Sequence, residues 1–124
     1  MQRSTDVREA MLRSYDRLSA GDVESFDSIV SSDASTVVIG TAIGEVHRDR
    51  AKLRFGFEAE GASILGGDPI AYEEGSMGWV IDEPRFVFGE MPPVVTRLTA
   101  VFHREDDALT RCICTSRWAC PTTK

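Results

Sequence analysis

The chain has 124 residues, which fits a single domain spanning residues 1–124 that can bury a core without disulfides or metals. Hydrophobic residues make up 42% and charged residues 27%, which excludes a disordered chain. The net charge of −6, with no cluster of lysine and arginine, argues against nucleic acid or an anionic membrane as a partner.

The sequence contains no apolar run that could form a signal-peptide core or span a bilayer, so we expect a cytoplasmic protein. The three cysteines, Cys112, Cys114 and Cys120, lie near the end of the chain. On one extended strand the first and last would be roughly 26 Å apart, too far to share a metal ion. We interpret them as small buried side chains and expect no metal or cofactor.

Three helices are predicted before residue 61. Apolar residues from Val7 to Leu18 recur at helical spacing, with Asp6 as the predicted cap and Gly21 as the stop. Asp22 is predicted to cap a second helix, and Asp49 a third helix that ends near Glu60.

The remaining segments are predicted to be strands. The β-branched run 36–39 precedes the third helix, and alternating segments follow around residues 70–72, 77–81 and 85–88. Two longer strands, 94–104 and about 109–119, are joined by a tight turn. Helices followed by antiparallel strands are typical of an α+β fold.

Three stretches carry a resemblance to a known family: "LSAGDVESFDSIVSSDASTVVIGT", "GWVIDEPRF" and "RLTAVFHREDDALTRCICTSRWACP". In this order they resemble the SnoaL-like branch of the nuclear transport factor 2-like superfamily, which includes polyketide cyclases, ketosteroid isomerases, scytalone dehydratase and limonene epoxide hydrolase. The resemblance implies a cone-shaped barrel, with three N-terminal helices packed on a strongly curved antiparallel sheet. It also implies a pocket open at one end and a homodimer through the outer face of the sheet.

The last predicted strand carries an arginine, Arg117, at a position where the resemblance implies an enclosed cavity. Members of this family often end with a strand whose histidine and serine face the cavity, and the matching positions here are Thr115 and Arg117. Side chains on a strand alternate, so these two residues share one face. Arg117 would either clamp an anionic oxygen of a ligand or lie at the open rim, paired with an acid or water.

The catalytic patterns of the family match only in part. Where the isomerase pattern has its tyrosine, this chain has Ser14, and the position of its base is occupied by Val38 and Ile39. By the dehydratase pattern, His103 would act as a proton shuttle, oriented by Asp82 or Glu83, unless it is exposed beside the turn.

The epoxide hydrolase pattern needs an arginine between two carboxylates. Arg97 or Arg117 could be the centre of such a set, and Asp82, Glu83 or Glu45 could flank it. Spacing along the chain does not establish that these side chains converge.

We therefore predict that the conical pocket binds a small, hydrophobic and weakly acidic organic molecule. Arg97 and Arg117 would anchor it, Tyr15, Trp79 and Phe102 would form its walls, and Thr99 and Thr115 would add hydroxyl groups. Two alternatives remain open. One is an isomerase, cyclase or dehydratase that uses acid–base chemistry, with His103 or an acid such as Asp82 or Glu83 as proton shuttle. The other is a dimerisation module with a vestigial pocket.

Overall fold

The computed structural model describes residues 1–40, 44–59, 62–105 and 109–119, and their side chains except those of residues 55–59, 109–114 and 116–119. The predicted cysteine environment and the side chain of Arg117 therefore lie outside the described part.

Three helices precede most of the sheet. They are α1 (Thr5–Ser19), α2 (Phe26–Ile29), which a 3-10 turn (Val23–Ser25) precedes, and α3 (Arg50–Ala59). Ser4 caps α1, because its hydroxyl oxygen accepts the Val7 N–H at 3.1 Å. The predicted cap, Asp6, instead lies in the first turn, where its charge suits the helix dipole. Asp49 caps α3 as predicted, accepting the Ala51 and Lys52 N–H groups at 2.9 and 3.3 Å.

Nine strands are formed within the described residues. They are β1 (Gln2–Arg3), β2 (Val37–Ile39), β3 (Val46–His47), β4 (Ser63–Leu65), β5 (Ile70–Glu74), β6 (Met77–Asp82), β7 (Arg85–Val87), β8 (Val94–Glu105) and β9 (Leu109–Ala119). The sequence patterns indicated β2 and the segments from β5 onward, whereas β1, β3 and β4 were not predicted.

The strands form one strongly curled sheet in the order β1-β5-β6-β8-β9-β2-β3, with β7 joining β4 to β8. All neighbours are antiparallel except β2 and β9, which pair in parallel. The pairing of β8 with β9 shifts by a bulge at Val101/Phe102, a feature that bends strands. The predicted α+β cone, with helices packed on a curved sheet, is confirmed.

The concave face of the sheet is the face that packs against α1. The core joins α1 to the strands, and its members are Val7, Ala10, Met11, Tyr15, Ala62, Ile64, Ala71, Val80, Phe86, Leu98, Ala100 and Phe102. Because side chains alternate, Trp79, Ile81, Arg97 and Thr99 lie on the convex face. Among the helices of the described chain, none combines the length and apolar character needed to cross a bilayer.

Candidate functional site

The two faces of the sheet divide the predicted ligand-binding residues into separate groups. Tyr15 and Phe102 are buried in the core on the concave side. Trp79 is half-buried on the convex face, where its ring stacks on that of Tyr72 with centroids 5.8 Å apart. Thr99 is exposed opposite Ile81 on the same face. The structure therefore does not bring Trp79 and Thr99 together with Tyr15 and Phe102.

Tyr15 and Asp82 form a buried polar pair at the end of β6. The Tyr15 hydroxyl donates to Asp82 Oδ2 at 2.8 Å, and both residues are at most 5% exposed. The backbone N–H of Gly67 donates to the same oxygen at 3.1 Å, and that of Glu83 donates to Oδ1 at 2.8 Å. Three donors thus satisfy one buried carboxylate, as burial requires.

The surroundings of Tyr15 keep its hydroxyl protonated. Burial, followed by the hydrogen bond and the negative charge of Asp82, raises the pKa of Tyr15 well above its ordinary value near 10. Tyr15 therefore stays a neutral hydrogen-bond donor. The β4–β5 loop closes over both groups, because a Cβ at Gly67 would approach Asp82 Oδ1 to 2.6 Å. This arrangement links α1, β6 and the loop.

The other predicted acid, Glu83, does not face inward. Its carboxylate lies 3.4 Å from the Nε of Arg97, and both side chains are largely exposed. Arg97 is thus an ion-pair partner on the convex side of the sheet. Exposed pairs of this kind contribute little to stability, typically below about 1 kcal/mol.

His103 has a different carboxylate neighbour from the two predicted. Its Nδ1 lies 3.1 Å from Glu105 Oε2, and the hydroxyl of fully buried Ser31 donates to that same oxygen at 2.5 Å. The carboxylate therefore stands between serine and histidine, whereas a nucleophilic triad needs the histidine in the middle. Along β8, His103 is five residues from the partner of Asp82, Leu98, or about 17 Å.

Ser31 also anchors the segment between α2 and β2. Its carbonyl accepts from Arg50 Nη1 at 2.7 Å and from the Thr36 hydroxyl at 3.1 Å. Arg50 also contacts Asp27 Oδ1 at 2.6 Å and lies over the ring of Phe26 at 4.8 Å. We interpret this cluster as structural, because its contacts hold α2, α3 and β2 to one another.

Along one cross-strand row on the concave face, the side chains change from fully buried to partly exposed. Its members, in order from β5 to β3, are Ala71, Val80, Ala100, Thr115, Val38 and His47. The first three are at most 2% exposed, and α1 packs on β5 and β6, which carry two of them. Thr115, Val38 and His47 are only partly buried. The open half of this face therefore carries a hydroxyl and an imidazole.

Glu45 lies at the end of the neighbouring row. Its backbone pairs with Gly40, whose N–H donates to the Glu45 carbonyl at 2.8 Å. The Glu45 side chain lies directly over Gly40, and an alanine Cβ there would overlap its carboxylate. Its Oε2 is buried and has no hydrogen-bond partner in the part of the chain that the structure describes.

The backbone of Arg117 is next to this position. Arg117 pairs with Leu98 of the core, and it follows Ser116, the partner of Ile39 in β2. In the same parallel register, Gly40 comes beside Arg117. Arg117 on β9 and Glu45 beside β3 thus lie on either side of Gly40, with β2 between their strands. Arg97 precedes Leu98 on β8, so its side chain is on the opposite face of the sheet.

Two polar residues end these rows, His47 and Glu45. The sequence patterns do not single them out as members of a ligand site. Both lie in or beside a two-residue strand that has too little periodicity to be recognised. The available signal was Gly40 directly after the run 36–39, because glycine within a strand pattern often marks close approach of another group. Among the described residues, no three metal-ligating side chains converge.

The fold is that of nuclear transport factor 2-like proteins. The chain matches a superfamily member from Salmonella enterica serovar Typhimurium with a TM-score of 0.78 and 11% identity, over 95% of this chain and 91% of that one. A family member from Streptomyces avermitilis gives 0.77 and 15%, over 94% and 95%. The association domain of C. elegans CaMKII gives 0.74 and 17%, over 91% and 92%.

Comparisons at the level of sequence give no further assignment. No family model matches the chain, and no curated protein matches it. The similarity to solved structures therefore establishes the class of fold, a nuclear transport factor 2-like α+β cone.

Proposed function

We propose that the protein binds a small, hydrophobic and weakly acidic organic molecule on the open half of the concave face, formed by β9, β2 and β3. The observation that carries this proposal is the loss of burial along the row from Ala100 to His47. Ligand sites are typically concave and apolar, with a few polar groups that fix orientation. Val38 supplies apolar surface and Thr115 a hydroxyl group.

Arg117 completes the proposed site as its cationic anchor. Its backbone pairing with buried Leu98 supports this role, as does its position beside Gly40. A guanidinium group binds planar oxygen anions in a bidentate manner. Of the residues predicted to bind ligand, the proposal keeps Thr115 and Arg117 at the site and assigns Tyr15 and Phe102 to the core.

Catalysis is not part of this proposal. Asp82 and Glu83 are neighbours whose side chains face opposite ways, His103 lies about 17 Å away along β8, and each of the three already has a partner. In a SnoaL-like isomerase or dehydratase, the general acid and the general base would both have to lie within hydrogen-bond reach of the same substrate.

The ligand site is tested with two adjacent residues of β2 that face opposite ways. Val38→Trp would fill the concave site, whereas Ile39→Trp places the same ring on the convex face. We expect native mass spectrometry to find a small molecule bound to the wild type and to Ile39→Trp but not to Val38→Trp. If no molecule co-purifies, the same comparison is made with 2-naphthol as the probe.

Equal ligand occupancy in the two variants would show that the ligand is not on the concave face. The role of Arg117 as cationic anchor is tested with Arg117→Ala, which should lower the fraction of protein that carries a co-purified acidic ligand. Unchanged occupancy in that variant would refute the role of Arg117.

A second proposed property is self-association through the convex face, which a specific row of residues favours. The row crosses the sheet as Ile70, Ile81, Thr99, Ser116, Ile39 and Val46. Its four apolar members, two at each end, are all exposed. A two-fold axis at its centre would bring one apolar end against the other end of a second copy, as isologous interfaces require.

The association domain of C. elegans CaMKII, which shares this fold, adds support for a homodimer. The test replaces Ile81, which is 52% exposed on the row, or Leu65, which is 56% exposed on β4 away from it. We expect sedimentation to show a dimer for the wild type and Leu65→Lys and a monomer for Ile81→Lys. A dimer that persists in Ile81→Lys would exclude this interface.

A further inference from the structure

The position of Glu45 is unusual for a carboxylate. The side chain lies over Gly40 on the concave face, in the space that any larger residue at position 40 would fill. Its Oε2 is buried without a partner among the residues described. A buried acceptor that lacks a donor costs free energy, so a native protein that keeps one has a use for it or a partner that binds there.

The surroundings of Glu45 narrow the chemistry of such a partner. His47 lies two residues along the chain, and so on the same face, and Thr115 faces the same half of the sheet. Val38 lies between them in register and is apolar. A group that reaches Glu45 must therefore bring a hydrogen-bond donor and also cover apolar surface.

We propose that Glu45 Oε2 accepts the hydrogen bond of a phenol-type hydroxyl on the bound ligand. This inference rests on the proposed ligand site and adds the class of compound that the site takes. A phenol or an enol combines a planar apolar body with a weakly acidic O–H, and a hydrogen bond to a charged acceptor is stronger than one between neutral groups. An apolar molecule without a donor would leave the buried oxygen unpaired.

Gly40 provides a way to remove the carboxylate without removing the glutamate. Its φ is not in the left-handed region, so an alanine is compatible with the backbone. The added methyl group would displace the Glu45 side chain from Cγ outward, because a Cβ would come within 2.8 Å of Cγ and closer still to Cδ and Oε2. Gly40→Ala and Glu45→Met therefore remove the same acceptor by independent changes.

The experiment measures Kd for 2-naphthol and for 2-methoxynaphthalene, which has the same rings and no donor, by NMR titration. We expect the wild type to bind 2-naphthol about tenfold more tightly or better, since hydrogen bonds to charged groups reach that strength. In Gly40→Ala and in Glu45→Met the preference for 2-naphthol over the ether should be lost.

The outcomes separate this inference from the proposed function. Equal wild-type affinities for the two compounds would refute the role of Glu45 and leave the ligand site standing, and so would a preference retained in Glu45→Met. If neither compound binds, or if Val38→Trp has no effect on either, the proposed site fails and the inference fails with it.

Discussion

Tyr15 joins the first helix to the end of β6 through one short hydrogen bond between buried groups. Its partner, Asp82, also receives two backbone N–H groups, so the tyrosine supplies one of three bonds to a single carboxylate. A hydrogen bond to a buried charge contributes more than an average one to the free energy of unfolding, because removing the donor leaves the charge less well solvated.

Replacing Tyr15 by phenylalanine should lower the free energy of unfolding by roughly 1.5–3 kcal/mol, the range for hydrogen bonds to charged groups. Urea denaturation measures the change. Tyr72→Phe is the matched control, since that ring lies on the convex face, and its stability should be close to that of the wild type. Equal effects of the two substitutions would mean that the bond to Asp82 contributes nothing specific.

The raised pKa of Tyr15 predicts a loss of stability in alkali. Unfolding exposes the phenol, which then ionises near pH 10, while the folded protein holds its proton to higher pH. The unfolded state thus binds fewer protons above pH 10, and the free energy of unfolding falls by up to about 1.4 kcal/mol per pH unit. Below pH 10 this contribution is constant.

Denaturation at several pH values from 9 upward should show this slope in the wild type and a shallower one in Tyr15→Phe. The same slope in both proteins would assign the alkaline loss to other groups.

Glu45 should destabilise the protein that carries no ligand. Replacing it by methionine, which is similar in length and needs no partner, should raise the free energy of unfolding by about 1–3 kcal/mol. Glu90→Met is the control, because Glu90 is exposed and a surface change there should stay within about 0.5 kcal/mol. A loss of stability in Glu45→Met would show that the carboxylate already has a stabilising partner.

At the scale of the elements, the cap of α1 depends on Ser4, which also donates its backbone N–H to the Ala71 carbonyl of β5 at 3.0 Å. Ser4→Ala should cost about 1 kcal/mol in the free energy of unfolding, the usual effect of losing a serine cap. Asp6→Ala, which removes the cap expected from sequence, should cost less, since Asp6 acts only through its charge. The reverse order in urea denaturation would restore Asp6 as the cap.

Strand β6 shows which part of the fold a sequence pattern can predict. Its alternation was evident, but both faces carry apolar residues, and the larger ones, Trp79 and Ile81, lie outward. The inward positions include Gly78, where Val7 packs so closely that a Cβ would come within 2.6 Å of it, and Asp82, which bonds to α1. The pattern predicts that a strand forms but not which of its side chains face the core, because contacts with the distant helix α1 decide the orientation.

The candidate site shows the same limit. The family resemblance implied that Thr115 faces the pocket, and Thr115 is half-buried on the concave side. Glu45 and His47 lie near β2 only because a hairpin brings them there. The short β1 and β3 were not predicted, since pairing with other strands, and not their own residues, creates them.

For the whole molecule, a dimer formed through the convex face should unfold at a temperature that depends on concentration. Association stabilises the folded state by mass action, so the Tm of the wild type should rise over a roughly hundredfold increase in protein concentration. The Tm of Ile81→Lys should not change with protein concentration. A wild-type Tm that is independent of concentration would argue against a dimer coupled to folding.

The main path of the sheet ends in β1 on one side and β3 on the other, each of two residues, and a further edge strand, β4, has three. Strands this short offer few free backbone groups to an incoming chain, so they discourage the edge-to-edge addition that builds filaments. Growth along the hydrogen-bonding direction is thereby disfavoured at these edges. Two copies that associate through the proposed convex-face interface would cover this surface on both, so assembly would stop at a closed pair.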